Sequence, residues 1–166
     1  MENELLNSLV RICAALDAQQ VEYLIVGGTA VALHGYFRYS TAPSGAAVTK
    51  PDLDFWYNPS YQNYFRLLDA LESLGQNVDR FKAEQEPNPQ KSYFRYEFEK
   101  FTLDLLPSLK ASIKFASAYK NKQVVRLTGI EVPFMGYEDL LLDKATNARP
   151  KDLTDIQELK NRHQQE

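Results

Sequence analysis

Cysteine, histidine and glycine are scarce: one, two and seven among 166 residues. A lone Cys13 can close no internal disulfide and cannot build a structural zinc site. His34 and His163 have no second ligand at metal spacing, so both read as structural or exposed. Long apolar runs are missing, and nothing approaches the roughly 20 residues that span a bilayer. Met1 is followed by Glu2 and Glu4, not by a basic segment and an apolar stretch. The expectation is a cytoplasmic protein without a membrane partner. An excess of positive charge is missing too. The net charge of −3 argues against a broad electrostatic surface for nucleic acid. No Ser-His-Asp or Cys-His nucleophilic set can be assembled, and there is no internal repeat.

What remains is an ordinary balance of 44% apolar and 25% charged residues, enough for one domain with a real core. We expect a single domain over residues 1–166. A sheet core with N-terminal helices would fill 1–135, and a C-terminal helix pair 136–166.

Leu5, Leu6, Leu9, Ile12, Cys13 and Leu16 fall at helical spacing, predicting an amphipathic helix over 4–18. Val21 to Val26 is an apolar, β-branched run ended by Gly27-Gly28, which reads as a buried strand. Thr29 to His34 is a short helix stopped at Gly35. Residues 38–50 have no period and many small residues, a long loop of functional or mobile kind. A strand over Asp52 to Tyr57 and a helix over Tyr61 to Leu74 follow. Residues 83–91 read as a loop. Ser92 to Glu99 and Phe101 to Leu106 alternate and predict a hairpin turning near Lys100. Ile113 to Tyr119 is a short helix or turn. Val124 to Leu127 and Ile130 to Phe134 flank Thr128-Gly129 as a second hairpin. Helices over Tyr137 to Asn147 and about Asp152 to His163 finish the chain. The class is α/β (α+β), a mixed sheet with flanking helices.

Asp52-Leu53-Asp54 is the sharpest local feature. Residues two apart on a strand share a face, so both carboxylates stand beside Trp56. Like charges so close need a cation between them or water around them. Mg²⁺ takes one or two carboxylates plus phosphate oxygens; a strand end bathed in water is the plainer account. Asp104 lies in Phe101-Thr-Leu-Asp-Leu-Leu, opposite the apolar face of Phe101, Leu103 and Leu105. A carboxylate there needs a partner. As a third acidic ligand it would let two metal ions bind, or it could take a proton from an attacking hydroxyl. A backbone or arginine partner would satisfy it equally. Gly27-Gly28, between strand and helix, lets backbone approach an anion, and Thr29 adds a hydroxyl; a tight turn alone would also use the glycines.

Lys144 sits on the inward stripe of its helix with Tyr137, Leu140, Leu141, Ala145 and Ala148, and an inward lysine wants an anion. Its stem could instead pack while the amine reaches water. Asp152 suits an N-cap, with Asp155 in the first turn of the last helix. The aromatic alternation Tyr93, Phe94, Tyr96, Phe98 could stack bases, though alternating aromatics in a hairpin are more often core and cross-strand pairs.

Taken together, Leu24-Ile-Val-Gly27-Gly28-Thr29-Ala30, then Asp52-Leu53-Asp54, then Leu103-Asp104-Leu105 resembles the nucleotidyltransferase superfamily with the polymerase-β-type fold. The tail from Lys144 through Arg149-Pro-Lys-Asp152-Leu-Thr-Asp155-Ile156 looks like that of small bacterial nucleotidyltransferase-like proteins. Several relatives of that group are toxins of toxin–antitoxin or abortive-infection systems. The resemblance covers about Val21 to Leu159. It implies a Mg²⁺-dependent enzyme with a nucleoside triphosphate donor. Asp52, Asp54 and Asp104 would be the catalytic and metal residues, with two ions able to bind. Gly27, Gly28, Thr29, Arg38 and Lys144 would hold the nucleotide, and Asp152 would hold Lys144. An antitoxin, or a protein or RNA acceptor, would be the partner. The rival is a binding or interaction module that keeps the fold without the chemistry. Pro51 and the loop of 38–50, which puts 23 residues between Gly28 and Asp52, favour that rival.

Overall fold

The computed structural model describes residues 2–35 and 50–165. The expected loop of 38–50, apart from Lys50, lies outside the described residues, and so does Arg38.

Six strands form one mixed sheet: β1 (Tyr23–Val26), β2 (Asp52–Tyr57), β3 (Phe94–Glu97), β4 (Thr102–Leu106), β5 (Gln123–Leu127) and β6 (Ile130–Phe134). Their order in space is β3-β4-β2-β1-β6-β5. The helices are α1 (Glu2–Ala18), α2 (Gly27–Leu33), α3 (Tyr61–Ser73), α4 (Asp79–Lys82), α5 (Phe115–Lys120), α6 (Tyr137–Asn147) and α7 (Pro150–Gln165).

Both expected hairpins form, as the antiparallel pairs β3–β4 and β5–β6. Thr128 and Gly129 both take positive φ (50° and 80°), the conformation that a tight two-residue hairpin turn requires. The longer-range pairings join them. β1 runs antiparallel to β2, whereas β2–β4 and β1–β6 are parallel. Every residue of β1 is buried, as a central strand covered on both faces must be. The strand starts at Tyr23 and not Val21, because the Val21 amide closes α1 by bonding to the Leu16 carbonyl. The Glu22 amide is taken by Asn63 Oδ1 at 2.7 Å. Asn63 Nδ2 returns two bonds, to the carbonyls of Glu22 and Asn58, so this buried amide ties the start of α3 to the start of β1.

α1 packs on α3 and β6, while α2 packs on β1 and β2 and meets α6 and α7. Cys13 on α1 is fully buried. Burial pushes its thiol up to about 12, so it is inert. Two short elements lie outside the expected set. α4 seats Phe81 against Phe94, and Pro89–Lys91 forms a single 3₁₀ turn. On α6 the inward stripe is narrower than expected: Leu140 and Lys144 are buried, whereas Ala145 and Ala148 face solvent. No helix among the described residues is long and apolar enough to cross a membrane.

Candidate active site

Sheet register assembles the carboxylates. Val26, the last residue of β1, pairs with Asp54, and Asp54 in turn pairs with Asp104 on β4. Side chains at paired positions share a face, so Asp54 and Asp104 stand side by side with Asp52 two residues away. Asp52 is exposed at the strand start, Asp54 is half-buried and Asp104 is buried. Pro51 does not spoil this edge. Its carbonyl accepts from the Thr102 amide at 3.0 Å and opens the β2–β4 ladder.

Crowding shows in the charge state of Asp54. Burial first, then the charges of Asp104 and Asp52, push its carboxyl up to about 7, against the pull of Lys144. A cation there would reverse that penalty. The Asp52–Asp54 pair therefore fits one hard divalent ion that draws its remaining ligands from phosphate and water. Among the described residues no group of three His, Cys, Asp or Glu side chains is arranged to hold a metal ion. Asp104, beside Asp54, has partners of its own: Arg95 Nη1 donates to its two oxygens at 3.1 and 3.3 Å, and Tyr93 Oη donates to Oδ1 at 2.7 Å. To help hold a second ion, Asp104 would have to release one of these donors.

Gly27 begins α2 at φ +67°, and a Cβ there would collide with Asp54 Oδ2. The glycine thus lets a carboxylate, not only a ligand, come up against the backbone. Thr29 is committed differently from the expectation, since its hydroxyl donates to the Asp52 carbonyl at 3.3 Å. Gly28 and Thr29 line a cleft of about 270 Å³ together with Asp52, Asp54, Lys50, Arg149 and Lys151. Leu5, Leu6 and Leu9 of α1 form its apolar wall. A second cleft of about 270 Å³ shares Gly27, Asp54, Lys144 and Arg149 with the first and continues past Ser108 and Lys110. The two meet at Asp54.

Lys144 borders both clefts but is only 2% exposed. Its ammonium sits 3.1 Å from Asp152 Oδ1 and 3.0 Å from Asp155 Oδ2. Asp152 also accepts from the Arg149 backbone amide at 3.0 Å, reaching back from the third helical position, with Pro150 at the first. Arg149 Nε and Nη2 grip the same carboxylate at 2.6 and 3.1 Å. Burial alone would raise the Asp152 carboxyl; the hydrogen bonds from Arg149 and Lys144 outweigh it and hold it at about 2. Asp155, which reads from sequence as a first-turn residue near the helix dipole, is fully buried. Ala148, which caps α6, takes φ +52°, a left-handed conformation costly for any residue with a Cβ. The two histidines lie away from this site: His34 Nε2 bonds to the Met135 carbonyl, and His163 stacks on Tyr137.

Neither a family model nor a curated protein matches the chain. Solved structures do. The lincosamide antibiotic adenylyltransferase LnuA superposes with a TM-score of 0.57 at 18% identity, covering 96% of this chain and 96% of its own. The chain has the nucleotidyltransferase fold. The antibiotic-resistance factor ANT(2″)-Ia shares this fold with a TM-score of 0.57 at 20% identity, over 98% of this chain and 83% of its own. A Thermotoga maritima protein assigned to the nucleotidyltransferases gives 0.58 at 14%, over 97% and 95%. Within the nucleotidyltransferase fold of this chain, the adjacency of β1, β2 and β4 is what brings Gly27, Asp54 and Asp104 together.

Sequence reasoning missed Arg95 and the exposed Arg149, and gave Tyr93 only as an aromatic of the hairpin. Arg95 had a signal. A hairpin turning near Lys100 sets Arg95 almost opposite Asp104, and the observed register pairs them.

Proposed function

We propose that the protein is a metal-dependent nucleotidyltransferase that moves a nucleoside monophosphate group from a nucleoside triphosphate to an acceptor hydroxyl. The observation that carries this reading is the crowding of Asp54 by Asp52 and Asp104 at the junction of two clefts edged with cations. Asp52 and Asp54 would hold Mg²⁺, which would supply charge neutralisation for the triphosphate. Gly27 and Gly28 would lie against the phosphates. Arg149, Lys151 and Lys144 edge the clefts and carry the cationic contacts in this reading; Lys144, buried against Asp152 and Asp155, would act on the phosphates from behind, and the exposed Arg149 more directly. Arg38 is the further cation that the resemblance implies. The apolar wall from α1 suits a base or an apolar part of the acceptor. Asp104 would take the acceptor's proton as its hydroxyl attacks the α-phosphorus and pyrophosphate leaves.

The acceptor follows from chemistry only as a hydroxyl. LnuA is an adenylyltransferase of lincosamide antibiotics, and ANT(2″)-Ia has been captured with adenylyl-2″-tobramycin. Small antibiotic-like molecules therefore join protein and RNA hydroxyls as a candidate class. A toxin role rests on the likeness of the tail alone. The test is calorimetry with ATP, GTP, CTP and UTP, with and without Mg²⁺. Binding of a triphosphate only with metal supports the enzyme. No binding of any triphosphate would leave the fold serving as an interaction module.

A further inference from the structure

Asp104 is 5% exposed and already carries one strong partner, since Arg95 reaches both its oxygens. Charge pairing alone does not call for the second donor. Yet Tyr93 Oη also donates to Asp104 Oδ1 at 2.7 Å, while its residue remains 47% exposed. Tyr93 is two residues before Arg95, which pairs with Asp104, so its side chain shares the face of the three carboxylates. Other hydroxyls nearby are spent on the backbone. Thr29, for one, bonds to the Asp52 carbonyl. Tyr93 instead places a nucleophilic oxygen on the carboxylate that would act as base, within hydrogen-bond reach of it, which is the relation a general base needs to its acceptor.

We propose that Tyr93 is itself a nucleotidyl acceptor, so that the chain modifies its own phenol. This rests on the nucleotidyl-transfer reading above and deepens it by naming the acceptor class as a phenolic hydroxyl. The Tyr93 oxygen attacks the α-phosphorus of the bound nucleoside triphosphate. The new bond is a phosphodiester between the phenol and the nucleotide, the bond between α-phosphorus and the β-bridging oxygen breaks, and pyrophosphate leaves. The phenolic proton passes to Asp104. No oxidant or further reactant is needed. Arg95 donates to both oxygens of Asp104 and fixes the carboxylate that the phenol faces.

The experiment incubates the full chain with Mg²⁺ and each of the four triphosphates, then reads intact mass and maps the site by tandem mass spectrometry. Calorimetry on the same preparation reads nucleotide binding independently. The expected result is a gain of one nucleoside monophosphate, placed on Tyr93. Tyr93→Phe should lose the gain while still binding the triphosphate with metal. Metal-dependent binding without any mass gain, or a gain on another residue, overturns the proposal and leaves the transferase reading standing. Absence of both binding and mass gain overturns that reading, and the proposal with it. The wild-type arm decides the matter even if Tyr93→Phe fails to fold.

Discussion

Replacing Lys144 by methionine should cost the fold on the order of 3–5 kcal/mol, the usual cost of breaking a buried ion pair from one side. Methionine keeps the stem and its packing, so the loss isolates the charge. The ammonium sits 3.1 Å from one carboxylate and 3.0 Å from another. At an effective dielectric of ~20 each contact is worth about 5 kcal/mol of gross attraction. Desolvation of three buried charges offsets much of that in the wild type. In the variant both carboxylates stay fully buried and lose the lysine charge, and although Arg149 still holds Asp152, the part of the penalty that Lys144 offset remains. For a chain of this size the melting temperature should fall by roughly 6–20 °C. The assay is urea unfolding followed at constant slope. A pH series adds a sign. The Asp152 pKa is lower in the folded state than unfolded, so its contribution is present above about pH 4 and is lost as pH falls towards 2. That contribution is on the order of 2 kcal/mol, and its acid limb should shrink in the variant. A cost below about 1 kcal/mol would refute the reasoning, since that is what an exposed pair is worth. A loss confined to triphosphate affinity, with stability unchanged, would instead return Lys144 to the role of direct phosphate ligand.

Three further outcomes follow from the same geometry. Asp52→Asn with Asp54→Asn should leave the metal-free fold as stable or more stable, because like-charge repulsion is removed, and Mg²⁺-dependent nucleotide binding should vanish in calorimetry. Gly27→Ala should cost about 1–2 kcal/mol for the left-handed backbone alone, read by urea unfolding, and should also displace Asp54 and weaken metal-dependent binding. Ala148→Gly should stabilise the chain by about 1 kcal/mol in the same assay by relieving the left-handed cap of α6; an unchanged midpoint would mean that the strain is absorbed elsewhere.

Local pattern carries the strands and hairpins. Alternation places β3 and β4, and Thr128-Gly129 announces the turn between β5 and β6. The parallel pairing of β2 with β4 is not legible in this way. β2 ends at Tyr57 and β4 begins at Thr102, and no local pattern in the long stretch between them encodes which distant strand becomes the neighbour. The meeting of Asp54 with Asp104 can therefore be expected only through the family resemblance. Asp155 escapes for a related reason. Helical periodicity places it near the dipole of its own helix, but its burial is set by Lys144, which reaches it from α6. Tyr93 reads as part of an aromatic strand, because alternation shows which face a side chain takes and not which group on the adjoining strand its hydroxyl will reach; the hairpin register gives only Arg95 its place opposite Asp104.

Cys13 gives the chain a reporter of its own opening. It is the sole thiol in the sequence, it has no exposed surface, and it sits where α1 covers the sheet. A thiol-reactive dye can reach it only when that helix lifts away. The rate of labelling therefore clocks the detachment of α1, the same helix whose Leu5, Leu6 and Leu9 wall the first cleft, and a ligand that fills the cleft should slow the clock.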